Sequence, residues 1–144
     1  MKTELAFWDS SALLMLCLQQ PGSNASRRYA RQFPQKVIWW GTPVEIESAI
    51  SRLHANQKID QHGVQQARRT WQKLHRSLLE VEPRQRVREL AEGIPHSHGL
   101  RALDAFQLAA ALDWCREKPR HRVFVTFDAK LRDAARKAGF SVYS

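Results

Sequence analysis

Four acidic residues carry the most specific chemistry in this sequence. Asp9 closes the apolar run Leu5-Ala6-Phe7-Trp8 and is followed by Ser10-Ser11. Glu45 follows Thr42-Pro43-Val44, Asp104 ends the run Leu100-Arg101-Ala102-Leu103-Asp104, and Asp128 follows Val125-Thr126-Phe127. Carboxylates gathered on one edge repel one another, which raises their pKa values. A hard divalent cation, Mg²⁺ or Mn²⁺, relieves that repulsion and prefers oxygen ligands. The four acids therefore read as a cage for such an ion.

Each acid must be weighed against an ordinary structural use. Asp9 and Asp128 both suit the N-cap of a following helix. Glu45 suits a capping box opened by Thr42, with Pro43 at the first helical position. Asp104 has no such use. It shares a helical line at spacing four with Leu100, Leu108 and Leu112, and three leucines mark that line as core-facing. An ionised carboxylate there is costly unless it is paired or binds metal. Arg101 is one candidate partner, and a cation shared with Asp9 is the other. Glu47 rivals Glu45, but it lines up with Ser51 and His54, whereas Glu45 lines up with Ala49 and Leu53. Glu45 is the one expected to point inward.

The elements that must position these acids follow from periodicity. Leu5–Trp8 reads as a buried strand, and a helix begins at Ala12-Leu13-Leu14-Met15. The loop Gln20-Pro21-Gly22-Ser23-Asn24 precedes a basic helix, capped by Ser23 or Asn24, that carries Arg27, Arg28 and Arg31 and ends before Pro34. Lys36–Trp40 is a strand bounded by Gly41. A helix runs from Thr42 to about Lys58. Asp60 starts another, with Val64, Ala67, Trp71, Leu74 and Leu78 as its apolar stripe. Leu78–Val81 is a short strand or a frayed helix end. Pro83 opens a further helix that Gly93-Ile94-Pro95 stops. Leu100–Trp114 is a strong helix, Arg122–Thr126 a strand, Ala129–Lys137 a helix and Phe140–Tyr143 a last strand. Strands alternating with helices imply an α/β fold, a three-layer α/β/α sandwich with a mostly parallel sheet. In such sheets ligands sit beyond the carboxyl ends of the strands, where acids that cap the next helix also lie. One domain over residues 1–144 is expected, with no repeat or linker.

Composition narrows the function. Lys and Arg number 23 against 14 Asp and Glu, a net charge of +9, so the field attracts polyanions. Cys17 and Cys115 sit in helical apolar patterns and read as small buried thiols, which fits a reducing, cytoplasmic setting. The apolar run Ala12–Leu18 is short and preceded by acids, unlike a signal peptide, and nothing approaches the ~18 apolar residues of a membrane span. His96-Ser97-His98 looks like a metal fragment but lies in an expected exposed loop with no zinc-type spacing nearby. Neither a Gly-rich phosphate loop nor a Gly-x-Ser-x-Gly elbow is present. Phe7, Trp71, Phe106 and Phe124 occupy core-type positions rather than base-stacking ones.

The segments Phe7–Leu13, Thr42–Ile50, Leu100–Ala109 and Phe124–Asp128, in this order, resemble the PIN-domain ribonucleases, in particular the VapC-type toxins of bacterial toxin–antitoxin pairs. The resemblance implies an α/β/α fold, an endoribonuclease dependent on Mg²⁺ or Mn²⁺, an inhibitory antitoxin partner and a homodimer. It assigns the acidic quartet to Asp9, Glu45, Asp104 and Asp128, and the hydroxyl beside the first acid to Ser11. Many relatives carry His where this chain has Gln107, a difference expected to bear on substrate or partner contacts. The pair Trp39-Trp40 is not a family feature.

Metal-assisted phosphodiester hydrolysis is the reaction these residues suit, and the resemblance implies RNA as its substrate. Asp9 and Asp104 are expected as main ligands, with Glu45 and Asp128 completing the site directly or through water. Ser11 and Thr126 are candidates for orienting carboxylates, and equally for plain strand-end hydroxyls. Arg101 and Lys130 are candidates for steering phosphates. A basic RNA-binding module without catalysis is the alternative. A phosphatase with Asp9 as nucleophile is disfavoured, because the partner acid such enzymes need two residues on is Ser11 here.

Overall fold

Alternating side chains along the first strand set up both layers of the molecule. In the computed structural model, which describes residues 4–144, β1 is Leu5–Trp8. Phe7 points to one face, and Ala6 and Trp8 point to the other. The chain continues through α1 (Ser10–Cys17), α2 (Ser23–Gln32), β2 (Gln35–Trp39), α3 (Thr42–Ala55), α4 (Gln61–His75) and β3 (Leu79–Val81). It then forms α5 (Gln85–His98), α6 (Ala102–Trp114), β4 (Val123–Val125), α7 (Ala129–Ala138) and β5 (Ser141–Tyr143).

All five strands are parallel, in the order β3-β2-β1-β4-β5. The chain starts in the middle, builds outward through β2 and β3, then returns to add β4 and β5 on the other side. The seam between β1 and β4 is thus the point where the winding reverses, which is where open α/β sheets bind ligands. The sequence expectation of a three-layer α/β/α fold holds. One layer is α1–α4, packed through Leu13, Ile46, Ile50 and Trp71 against Trp8, Ile38 and Val125. The other is α5–α7, packed through Val87, Leu108 and Leu131 against Phe7, Val37 and Phe124. Strands buried on both faces read as continuous apolar runs, which is why Leu5–Trp8 and Val123–Val125 carry no polar alternation.

Several expectations are corrected. Thr42 does not cap α3. Gly41 holds that position, and Thr42 lies inside the first turn, fully buried. Gly41 is required by close approach, since a Cβ there would stand 2.7 Å from Trp39 Nε1. The helix stop at Gly93-Ile94-Pro95 also fails. α5 runs through Pro95 to His98 and ends at Gly99, whose φ of 66° is left-handed. Pro95 has no N–H to offer Ala91 O, so the helix gives up that one bond, and Gly99 N closes the last turn by donating to Pro95 O at 3.0 Å. His96-Ser97-His98 is therefore the last helical turn, not a loop, and Ser97 Oγ donates to Gly93 O at 3.0 Å. Leu78–Val81 resolves as a strand, β3, one residue shorter at its start.

Both cysteines are free and buried. Among the described residues no helix is long and apolar enough to cross a membrane. Trp39 is nearly buried and stacks on Phe106, ring centroids 5.4 Å apart and planes 4° off parallel, whereas Trp40 is exposed.

Candidate active site

The four acids arrive on one rim because each stands at the start of a helix that leaves the carboxyl edge of the sheet. Asp9 is the N-cap of α1, its Oδ1 accepting from Ala12 N at 3.0 Å. Asp128 is the N-cap of α7, its Oδ1 accepting from Leu131 N at 2.8 Å. Glu45 and Asp104 lie in the first turns of α3 and α6. Four positive helix ends thus face the cluster, which favours carboxylates there.

Asp9 is the buried centre of this rim, 2% exposed. Its backbone N–H donates to Val125 O at 3.1 Å, extending the β1–β4 ladder to the site itself. Ser11 Oγ lies 2.7 Å from its Oδ1 and 3.0 Å from its Oδ2. Thr126 Oγ1 donates to Oδ2 at 2.7 Å and accepts from Asp128 N at 3.0 Å. Ser11 Oγ also accepts from Phe127 N at 2.9 Å. Both hydroxyls therefore hold Asp9 while they tie β1 to the segment after β4. Burial, opposed by these hydrogen bonds and aided by the Asp128 charge, pushes the Asp9 carboxyl up to about 7.

Glu45 is aimed by two donors. Ser10 Oγ donates to its Oε1 at 3.0 Å, and Gln107 Nε2 to its Oε2 at 2.9 Å. No capping box forms, because this carboxylate is turned towards α1 and α6 rather than back onto its own helix. Burial raises its pKa, and the charge of Asp104 adds to the rise. Asp104 is also raised, first by burial and then by Asp128, with Lys130 and Arg101 opposing. The repulsions thus link Asp9 to Asp128, Asp128 to Asp104 and Asp104 to Glu45, so the quartet is one electrostatic unit.

The core-facing line drawn through Asp104 is partly right. Leu108 is buried, yet Asp104 is only half-buried, because the first turn of α6 emerges at the rim. Among the described residues Asp104 makes no hydrogen bond or ion pair, so Arg101 does not neutralise it by contact. Arg101 and Lys130 are exposed and act on it through space. Glu47 points away, paired with Arg68 at 3.0 Å. Exchanging it for glutamine is expected to change stability by less than ~1 kcal/mol, as for exposed pairs, which a thermal melt checks.

An open groove of about 360 Å³ adjoins Glu45, with Leu14, Val44 and Leu103 on its walls and Ser10 and Ser11 at its base. A larger cavity, about 590 Å³, lies at the far end of α1 and is lined by none of the four acids. Among the described residues, no three Asp, Glu, His or Cys side chains converge tightly enough to hold one metal ion directly. The sequence did not single out Ser10 or Thr42 as partners of the site, and Gln107 was read as a contact residue. Gln107 is 1% exposed, so it touches neither substrate nor partner in this arrangement.

A parallel sheet of this order, with its acids gathered at helix starts across the β1–β4 seam, defines a nuclease domain of the PIN type. No family model matches the chain. It is 33% identical over 138 residues to ribonuclease VapC46 of Mycobacterium tuberculosis, covering 94% of each sequence, and it belongs to the VapC ribonuclease family. Two solved structures share the fold at 20% identity. A toxin–antitoxin complex from Klebsiella pneumoniae matches with a TM-score of 0.61 over 87% of this chain and 88% of that one. PAE2754 from Pyrobaculum aerophilum matches with a TM-score of 0.64 over 99% and 90%.

Proposed function

We propose that this protein is an endoribonuclease dependent on Mg²⁺ or Mn²⁺ and the toxin of a toxin–antitoxin pair, with Asp9, Glu45, Asp104 and Asp128 as its catalytic, metal-holding set. Four carboxylates at helix starts on the rim of the switch-point seam carry this reading, and their mutual repulsion supports it. A donor set made only of carboxylate oxygens fits a hard cation. Mg²⁺ keeps several of its waters and takes one or two carboxylates directly, so its binding does not require a tight triad.

Asp9 and Asp104 are the direct ligands in this reading. Asp9 is locked in place, and Asp104 has oxygens free to turn. Glu45 and Asp128 act directly or through water. When bound, the cation neutralises charge building on the phosphate and lowers the pKa of water. Ser11 and Thr126 keep Asp9 oriented while charge develops. Arg101 and Lys130 steer phosphates to the rim, helped by the net charge of +9. The groove beside Glu45 receives the nucleotides flanking the cut.

The family relation and the toxin–antitoxin match support an antitoxin partner, and the free buried thiols suit the cytoplasm. A homodimer belongs to the same proposal, and its mass in solution checks it. The test of function is cleavage of end-labelled RNA with Mg²⁺ or Mn²⁺, with and without chelator. Products ending in 5′-phosphate and 3′-hydroxyl are expected, with cleavage abolished by chelation and by Asp9→Asn with Asp104→Asn. Full cleavage by that double variant overturns the site. RNA binding that survives with no Mn²⁺ uptake by calorimetry favours a non-catalytic basic binding module instead.

A further inference from the structure

We propose that Gln107 is a positioning residue that holds Glu45 in its working orientation, a role that rests on the assignment of Glu45 above. Gln107 lies one turn beyond Asp104 on α6, between the buried Ala105 and Leu108. At 1% exposure it is out of reach of RNA. Its Nε2 donates both hydrogens into the first turn of α3, one to Glu45 Oε2 at 2.9 Å and one to Thr42 Oγ1 at 3.0 Å. Thr42 is itself fully buried. One side chain of α6 therefore clips α3 at the two positions that bracket the turn carrying the acid.

The other end of this amide gives the second argument. Gln107 Oε1 is buried with no hydrogen-bond partner. Reversing the amide would bring that oxygen against the Glu45 carboxylate, an acceptor facing an acceptor, so Glu45 itself dictates the orientation. Filling this core position does not call for an amide. An unbranched apolar side chain of the same length would fill the volume without the unpaired Oε1, but would leave the buried Thr42 Oγ1 without its donor. The structure tolerates the orphan because the donor end has a task. Ser10 holds the opposite oxygen of Glu45, so the carboxylate is gripped from α1 and from α6 and cannot swing when a cation or phosphate pulls on it.

Gln107→Met keeps the shape and removes the donor, and Gln107→His returns a donor at the same depth. For Gln107→Met, kcat on a short RNA is expected to fall about tenfold or more with KM little changed, and Mn²⁺ affinity by calorimetry to weaken several-fold. Its melting temperature is expected to stay within a few degrees of the parent. Gln107→His is expected to recover most of the lost kcat. A readout free of activity is the Gln107 side-chain NH₂ signal in ¹⁵N-labelled protein, identified by its absence from Gln107→Met. It is expected to exchange slowly and to shift in Glu45→Gln. Unchanged kcat and Mn²⁺ affinity in Gln107→Met, while Glu45→Gln is inactive, overturn the role of Gln107 alone. Full cleavage by Glu45→Gln overturns the assignment of Glu45 and this role with it. Loss of kcat only in step with a loss of melting temperature also overturns it, because packing alone would then explain the effect.

Discussion

Asp9→Asn is expected to cost about 10³-fold or more in RNA cleavage and, at the same time, to make the metal-free protein more stable above neutral pH. The first half follows from removing a charge that helps to hold the cation, worth several kcal/mol at the transition state. The second follows from burial. The Asp9 carboxyl is raised from 3.8 to about 7, chiefly because burial penalises its charged form. Between those values the native state holds a proton that the unfolded chain releases. The stability this group contributes is thus full below pH 3.8 and is lost as pH rises through 7. A shift of that size corresponds to about 4 kcal/mol. Asparagine carries no charge to bury, and its amide can donate to Thr126 Oγ1 where the carboxylate accepted from it. The advantage of the variant in chelator should therefore widen by about 2–3 kcal/mol between pH 5 and pH 8. Adding Mn²⁺ should reverse the order, stabilising only the parent by mass action. Thermal melts at both pH values, with EDTA or Mn²⁺, read this directly. Identical melting of the two proteins at pH 8 in EDTA would refute the buried-charge account.

Local chemistry was legible in the sequence, and contacts between distant segments were not. Asp9, Asp60 and Asp128 are caps in the structure because an acid before an apolar helical pattern is satisfied within three residues of itself. That local rule also gave the rim, since a cap after a parallel strand must lie at its carboxyl end. The inward turn of Glu45 was legible from its helical line. Its partners were not, because Ser10 is 35 residues away and Gln107 62 residues away. Thr42 misled for a similar reason. It has the right chemistry for an N-cap, but the Trp39 indole lies against Gly41, and the buried Thr42 hydroxyl is engaged by Gln107. The end of α5 was misplaced because Gly93 and Pro95 are both helix-breaking types, and only the backbone shows that Gly99 takes the left-handed turn. The half-exposure of Asp104 was hidden as well, since a helical line says which side faces the core but not how far the helix end projects beyond it.

Phe124→Ala should be among the most damaging single changes to the scaffold, and it tests whether the rim depends on the seam beneath it. Phe124 is fully buried in the middle of β4, 5.2 Å from the Phe7 ring and 5.5 Å from the Phe140 ring. Removing such a ring costs about 3–5 kcal/mol, against a total stability of about 5–15 kcal/mol for a domain. The melting temperature should fall by roughly 6–20 °C. Phe124 pairs with Phe7 across the seam, and the next pair is Trp8 with Val125, whose carbonyl accepts from Asp9 N. Loosening β4 therefore loosens Thr126 and the grip on Asp9. Cleavage per folded molecule, measured well below the lowered melting point, should drop several-fold while chelator still abolishes it. In Asp9→Asn stability and activity move in opposite directions, and in Phe124→Ala they fall together. If Phe124→Ala lost stability as expected yet kept the full rate per folded molecule, the β1–β4 ladder would not be what orients the rim, and the hydrogen bonds from Ser11 and Ala12 within α1 would have to suffice.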